Sequence, residues 1–452
     1  MAHISPARKT AFEILLRVDA GRAFATDMLQ NEEVSALSDR DRGLANEIVM
    51  GVLRWRGEID HRLQQLSGKS ATALDREVAT ALRMGIYQIA FLEKIPKSAA
   101  VNESVELTKL SRKRSAAGLV NAVLRKCQPE NFLQDLKKAQ LDDPEVLASV
   151  RRSVPAWLLA RWEANFGVEE ANRLALAGVQ VPATTLRICS STPEPDLVIE
   201  RFKEKGCKVR RGGFAPRALI VETNDGVISR FAEEMGLAIH DEASQLVAEI
   251  VNVRSGERVL DLCAAPGMKT SMLADAAGTG LVVACDANAR RLRTLRKLLP
   301  KLTSYASKIQ VVQLDATQDL PFRRQFERIL VDAPCSGTGT LARNPEIKWR
   351  LTMEDLKRLP AIQSKILSKA LSLLAPQGRL VYATCSLEPE ENEMLVESVL
   401  SSAPGFRMLR REELLGNLPK LAPLIDSRGY FHTRPDLDGM DGFFAVVITP
   451  MS

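Results

Sequence analysis

From Gly236 to its end the chain repeats one pattern: a short apolar run, then a turn carrying an aspartate or a cysteine, then a stretch of helical periodicity. The runs are Arg258–Leu262, Leu281–Cys285, Ile309–Leu314, Arg328–Val331 and Arg379–Ala383. Runs this short and this uniformly apolar suit strands covered on both faces. Alternating with helices, they predict a doubly wound α/β domain built on a parallel sheet. Such sheets bind ligands beyond the carboxyl ends of their strands. The residues that close the runs are therefore the first candidates for function. Asp261, Asp286, Asp315 and Asp332 each stand at or near such an end. One such aspartate is an ordinary turn residue, but four in register along a sheet form a binding edge. Two ends also carry cysteines, Cys335 in Ala333-Pro334-Cys335-Ser336-Gly337 and Cys385 in Ala383-Thr384-Cys385-Ser386. Asp441-Gly442-Phe443-Phe444 and the apolar run to Ile448 predict a closing strand, antiparallel and at or near an edge.

The first of these strands leads into Cys263-Ala264-Ala265-Pro266-Gly267, after which Met268-Lys269-Thr270 opens a helix. Small residues let a ligand approach the backbone, and free helix N–H groups favour a carboxylate. The loop is neither G-x-G-x-x-G nor G-x-x-x-x-G-K-[ST], which disfavours a dinucleotide or a nucleoside triphosphate. Asp286 is placed to accept both hydroxyls of a ribose, and Asp315 to meet an adenine amino group. S-adenosylmethionine (SAM) fits all of these positions. On the residues alone, a nucleotide-binding oxidoreductase is the competing reading.

Upstream, residues 1–140 carry only helical signals. Ser5-Pro6 opens one helix, Ser38 with Asp41 opens another, and Val78, Leu82, Ile86 and Ile89 mark a third. A small helical bundle is expected. Its densest basic spots are Arg112-Lys113-Arg114 and Arg125-Lys126. Residues 141–235 mix the two signals: a helix started by Val154-Pro155-Ala156-Trp157-Leu158 and running toward Phe166, another over Leu197–Lys205, and strands at Thr184–Cys189, Cys207–Arg211 and Ala218–Val221. A small α+β module connects the bundle to the α/β domain of residues 236–452. Its basic run (Lys203, Lys205, Lys208, Arg210, Arg211) suits a phosphate backbone, or equally an exposed hairpin face.

The whole chain of 452 residues carries a net charge of +6, which permits a polyanionic partner without requiring one. Its seven cysteines are scattered and form no C-x-x-C pair, and its four histidines stand far apart, so neither a disulfide framework nor a metal site is expected. No run approaches about 18 apolar residues, and no signal-peptide pattern opens the chain. A cytoplasmic protein with reduced thiols and no membrane association is expected.

Five stretches, Asp261–Thr270, Val331–Gly339, Arg343–Trp349, Tyr382–Ser386 and Asp441–Phe444, resemble the signature set of RNA (cytosine-5) methyltransferases. The first 130 residues resemble the NusB family of RNA-binding helical domains. The resemblance rests on Pro6-Ala7-Arg8, Asp39-Arg40-Asp41-Arg42, the stretch Ile48–Arg54 and the stretch Gly118–Arg125. Together they are similar to the Sun/RsmB type of bacterial 16S rRNA methyltransferase. One departure is visible: Met268 stands where the family pattern has a second glycine.

The resemblance implies a SAM-dependent enzyme that methylates carbon 5 of one cytosine in 16S rRNA, cytosine 967, and acts as a monomer on RNA not yet assembled or early in assembly. It implies Cys385 as the nucleophile that adds to carbon 6, and Cys335 as an aid to breakdown of the adduct. Asp332 would contact the ring N3 and amino group. The cofactor would lie against Cys263, Ala264, Ala265, Pro266, Gly267, Met268, Lys269, Asp286, Asp315 and Asp332. The sequence itself does not choose between the two cysteines, because DNA cytosine methyltransferases attack from a Pro-Cys loop. Lys348 is expected either to meet phosphate or the base, or to be a plain surface lysine. Cys127, Cys189, Cys207, Cys263 and Cys285 are expected to be buried and structural. The same chemistry on transfer RNA, and a non-catalytic RNA-binding assembly factor, are the alternatives.

Overall fold

The computed structural model describes residues 4–21, 23–129, 141, 143–189, 195–222, 232 and 234–451. The chain forms two compact units, Met1–Val181 with Leu341–Arg350, and Pro182–Thr340 with Leu351–Ser452. The boundary expected at residue 140 lies outside the described residues. Helices Pro144–Arg152, Ala156–Phe166 and Val168–Ala177 belong to the first unit, and the strands of the connecting module to the second.

The described part of the first unit is helical. Ser38 caps helix Asp39–Arg54 by accepting from the Asp41 amide at 3.1 Å, as its sequence indicates. Helix Arg76–Phe91 is buried from Val78 to Phe91 and is the axis of the bundle. Residue 51 must be glycine, since a Cβ there would lie 1.9 Å from Tyr87 Cζ. Inside the bundle Arg83 pairs with Asp60 (2.7 Å) and Asp19 (3.2 Å), and Arg8 with Glu103 (2.7 Å). Desolvated pairs of this kind fix the packing register more than they add stability.

The returning segment Leu341–Arg350 is pinned within this unit. Arg54 donates twice to the Ala342 carbonyl (2.9 and 3.1 Å), the Ala25 amide donates to Glu346 (2.7 Å), and the Trp349 indole donates to the Leu53 carbonyl (2.7 Å). Lys348 is the centre of the pin and corrects the sequence expectation. It is 1% exposed, so it is neither a surface lysine nor open to a phosphate. Its Nζ donates to the carbonyls of Arg54 and Ser153, both at 2.9 Å. Burial, with the Arg54 charge adding to it, pushes this lysine down to about 7. A neutral amine has two N–H bonds and finds two acceptors; protonation would add a desolvated charge with no carboxylate to meet it.

A stability effect follows from the sign of that shift. Between about pH 7 and the ordinary lysine value of 10.5, the unfolded side chain holds a proton that the folded one has shed. The unfolded state then binds more protons, so stability rises with pH across this window, and the full cost of charging is present below it. We predict that the parent gains about 2–3 kcal/mol between pH 7 and 9 from this residue, at about 1.4 kcal/mol per unit. Urea titrations should show that gain in the parent and not in Lys348→Met; equal pH slopes would refute it.

The second unit contains two sheets. Strands β1 (Thr184–Ile188), β2 (Val209–Arg211), β3 (Ala218–Val221) and β4 (Leu237–Ile239) form an antiparallel sheet of order β2-β3-β1-β4. Its fourth strand was not read from the sequence and lies beyond residue 235. Helix Pro195–Glu204 packs Val198 and Phe202 into the core of this sheet, with Leu186 and Leu219.

The larger sheet takes β5 (Arg258–Asp261), β6 (Leu281–Asp286), β7 (Ile309–Gln313), β8 (Phe326–Asp332) and β9 (Leu374–Thr384) in parallel. The last three, β10 (Phe406–Met408), β11 (Phe431–His432) and β12 (Phe444–Pro450), are antiparallel to their neighbours. The order is β10-β12-β9-β8-β5-β6-β7, with β11 also paired to β12. Val259, Leu330 and Val381 enter one core, and Leu260, Ile329, Val331 and Tyr382 the other. Alternate residues of one strand thus fill opposite cores, which is why these runs are apolar throughout. The order of the strands reverses at the parallel pair β5 and β8, so the loops after Asp261 and Asp332 leave the same edge of the sheet and turn to opposite faces, the place where such sheets bind ligands.

Candidate active site

Asp261 ends β5 and is 1% exposed. Its Oδ2 accepts from Thr270 Oγ1 at 2.7 Å, while Oδ1 is buried with no hydrogen-bond partner. Burial holds this carboxyl up at about 7, against the lowering effect of the Thr270 bond. A buried acceptor without a partner at the end of β5 is a position where a donor would be favoured. The loop from Leu262 then turns at Gly267 (φ +107°), where a Cβ would crowd Leu295 Cγ at 3.1 Å. Helix Met268–Ala277 follows.

Met268, the departure from the family pattern, packs into an apolar cluster with Cys189, Ala238, Leu298 and Leu302. Its carbonyl is held by a residue that sequence reasoning missed. Arg187 of β1, 1% exposed, donates to Met268 O and to Ser271 Oγ, both at 2.8 Å. The smaller sheet thereby fixes the first turn of the cofactor-loop helix.

Asp286 ends β6, accepts from the Asn288 amide (2.8 Å) and pairs with Arg291 (3.3 Å). Asp315 lies two residues past β7 and is exposed; bonds from the Thr317 amide (2.9 Å) and hydroxyl (2.7 Å) hold its carboxyl below the usual range. Asp332 ends β8 and accepts from Lys269 Nζ at 2.8 Å. That ammonium also lies 5.0 Å from the Phe443 ring centroid. The Asp441-Gly442-Phe443-Phe444 motif therefore contributes a cation–π face to the site. The four aspartates do line one edge of the sheet, and Lys269 joins the first loop to the fourth.

The two cysteines meet. Cys335 Sγ and Cys385 Sγ are 3.3 Å apart, beyond a disulfide bond and within reach of a thiol hydrogen bond. Strand register brings them together: β8 and β9 run parallel with Asp332 opposite Ala383, so the residues that follow fall side by side. The Cys335 thiol is pushed well above its ordinary range by its hydrogen bond with Cys385 first, then by burial and by negative charge from Cys385 and Glu391. Of the five cysteines expected to be buried, Cys127, Cys189, Cys207 and Cys285 are, whereas Cys263 is half-buried on the loop after β5.

Sequence reasoning also missed the support beneath the thiols. Glu391 is fully buried and accepts from the Ser336 amide (2.9 Å), from Gln363 Nε2 (2.8 Å) and from the hydroxyls of Ser336 and Ser386. The available signal was the repeated pair Cys335-Ser336 and Cys385-Ser386, two serines in the same place after two strand-end cysteines.

The basic residues singled out in the bundle and the connecting module are in part paired. Arg210 meets Glu222 at 3.2 Å, Arg211 meets Asp196 at 2.7 Å, and Lys113 meets Asp75 at 3.0 Å. Arg112, Arg114, Arg125, Lys126, Lys203 and Lys205 are exposed.

With this geometry in hand, the chain can be set beside known proteins. Residues 248–449 match the family described as 16S rRNA methyltransferase RsmB/F. Residues 5–129 match the NusB family, and residues 154–227 the ferredoxin-like domain of RsmF/B-like methyltransferases. Ribosomal RNA small subunit methyltransferase B of Pseudomonas putida is 34% identical, over 89% of this chain and 90% of that one. This chain belongs to the RsmB family of ribosomal RNA small subunit methyltransferases. Its likeness to that family extends to a Bacillus subtilis member, "Probable ribosomal RNA small subunit methyltransferase B", 30% identical over 97% of both chains. The solved structure of PH0851 shares the fold, with a TM-score of 0.80 over 99% of both chains at 21% identity. The N-terminal helical bundle is thus a NusB-type domain, the smaller sheet belongs to a ferredoxin-like module, and the larger sheet is the Rossmann-like methyltransferase core.

Proposed function

We propose that this protein transfers a methyl group from SAM to carbon 5 of a cytosine in 16S rRNA, cytosine 967 by family likeness, through a covalent adduct. The observation that carries the chemistry is the pair of thiols 3.3 Å apart at the ends of adjacent parallel strands, beside the Asp332–Lys269 pair. Rings of this kind are poor nucleophiles at carbon 5 until a sulfur adds at carbon 6, and only an ionised thiol adds readily.

SAM, when bound, supplies an electrophilic methyl on a sulfonium. The residues fit it: Asp261 Oδ1 lacks a donor that an ammonium group would provide, the small loop Cys263–Gly267 admits a ligand to the backbone, and Asp286 is set to accept ribose hydroxyls. Cys385 forms the bond to carbon 6, its own proton passing to solvent. As sulfur adds at carbon 6, the ring takes a proton from solvent at N3, and Asp332, held by Lys269, accepts from that N3–H and from the amino group; the N3 proton is released again when the sulfur leaves. After methylation, water takes the carbon-5 proton, the carbon–sulfur bond breaks, and its electron pair returns to Cys385. Cys335 is placed to hydrogen-bond that departing sulfur. The basic surfaces of the helical domain and the ferredoxin-like module hold the RNA through its phosphates. The target base is read from a loop or flipped nucleotide, in cytoplasmic rRNA.

The test is direct. Purified protein incubated with SAM and protein-free 16S rRNA should leave one cytosine resistant to bisulfite conversion. Modification of transfer RNA alone, or no methylation of any RNA by a protein that binds SAM, would sink the reading.

A further inference from the structure

We propose that Glu391 is a positioning residue for the two-thiol chemistry: it clamps both cysteine loops, and its charge beside the Pro-Cys loop disfavours attack by Cys335 and leaves Cys385 as the attacking sulfur. The inference rests on the function proposed above and adds what decides between two neighbouring sulfurs.

Glu391 has the contacts of a junction. Oε1 accepts from the Ser336 amide and Gln363 Nε2, and Oε2 from the hydroxyls of Ser336 and Ser386, which are themselves 2.9 Å apart. The Tyr382 hydroxyl holds the Glu391 carbonyl at 2.7 Å. Four donors serve the carboxylate, two from the Cys335 loop and one from the Cys385 loop among them, yet no Lys, Arg or His forms an ion pair with it among the described residues. A fully buried, uncountered carboxylate is costly, and its hydrogen bonds only offset the burial. Two well-placed loops alone could be built from neutral groups.

The charge is not shared evenly between the loops. Its one backbone donor is the amide of Ser336, next to Cys335. Gln363, its side-chain amide donor, also donates to the Pro334 carbonyl at 2.9 Å, on the other side of Cys335. The Cys385 loop reaches Glu391 through the Ser386 hydroxyl. The negative charge is therefore wired to both flanks of Cys335, where it opposes a thiolate. The other titratable groups that face Cys335 are Cys385 and Tyr382, from β9 and its loop. Cys335 then remains a thiol and can donate its S–H to the Cys385 thiolate across 3.3 Å. Cys385 gives its proton to solvent, and no other proton moves.

The thiol titration uses the full-length protein without RNA, so an error about the RNA target leaves that arm standing, and methyl transfer to 16S rRNA is read separately. Iodoacetamide alkylation is followed from pH 7 to 11, so that a midpoint above the ordinary thiol range is bracketed, with the Cys335 and Cys385 peptides quantified separately by mass spectrometry. Glu391→Gln keeps the shape and removes the charge; Glu391→Asp keeps the charge and shortens the reach. In Glu391→Gln the Cys335 midpoint should fall by roughly one pH unit or more. In Glu391→Asp it should stay near the parent while methyl transfer drops at least about tenfold, as expected when a positioned group slips. An unmoved Cys335 midpoint in Glu391→Gln of parental melting temperature overturns the proposal. So does an Asp variant that shifts as far as the Gln variant, which would make loop geometry, not charge, the cause. Should Glu391→Gln fail to fold, the Asp variant decides: a parental Cys335 midpoint with reduced methyl transfer supports the proposal, and a lowered one overturns it.

Discussion

Cys335→Ala is expected to leave the enzyme covalently joined to its RNA, and Cys385→Ala to leave it with no adduct at all. The expectation follows from where the sulfurs stand. They lie 3.3 Å apart, so a ring within bonding distance of one is within reach of the other. Cys335 is the sulfur whose ionisation is opposed, by its bond to Cys385 first and by burial next. A thiol held in that state is a poor nucleophile and a serviceable hydrogen-bond donor. Without Cys385 the ring is never activated, and turnover should fall below detection. Without Cys335 attack and methylation proceed, and the departing sulfur loses its donor, so the complex accumulates. A denaturing gel of each variant with SAM and 16S rRNA reads the outcome as a slow protein–RNA band. The reverse pattern, a band in Cys385→Ala and none in Cys335→Ala, would move the attack to the Pro-Cys loop. The double variant should show no band.

Much of this site was legible because its positions are set by backbone register. A strand end is visible in sequence as the last apolar residue before a turn, and parallel register then places one end beside the next. That is how Asp261, Asp286 and Asp332 were found, and why Cys335 and Cys385 could be paired although 50 positions separate them. What escaped was reached by side chains from other elements. Glu391 sits in a short turn after Cys385 with no periodicity to mark it, and its burial depends on Gln363, from a helix that begins well before β9. Arg187 reads as one more residue of a short strand; nothing local says that its guanidinium ends on Met268. Lys348 was misjudged for the same reason. Lysine is rarely buried, and only the fold reveals the carbonyls of Arg54 and Ser153 waiting for it. β4 escaped because three residues, Leu237–Ile239, are too few to show alternation.

Asp332→Asn should reduce the methyl-transfer rate by roughly two to three orders of magnitude, the range seen when a preorganised group facing developing charge is lost. The carboxylate ends β8 between the cofactor loop and the Pro-Cys loop, and Lys269 holds it at 2.8 Å. Asparagine keeps the volume and can still accept from Lys269, so the fold should survive. It cannot present a charged acceptor to the cytosine amino group while the ring accepts a sulfur at carbon 6. Lys269, left with the Phe443 face and no carboxylate at contact distance, would add an uncompensated positive charge to the pocket. The Asp332 charge also helps hold the Asp261 carboxyl up near 7, a smaller effect than burial. Removing it should let Asp261 ionise at lower pH and so spare the affinity for SAM. Single-turnover quench measurements with saturating RNA, beside calorimetric titration of SAM, separate the two effects. A rate within tenfold of the parent, or a loss confined to SAM affinity, would show that Asp332 serves the cofactor rather than the base.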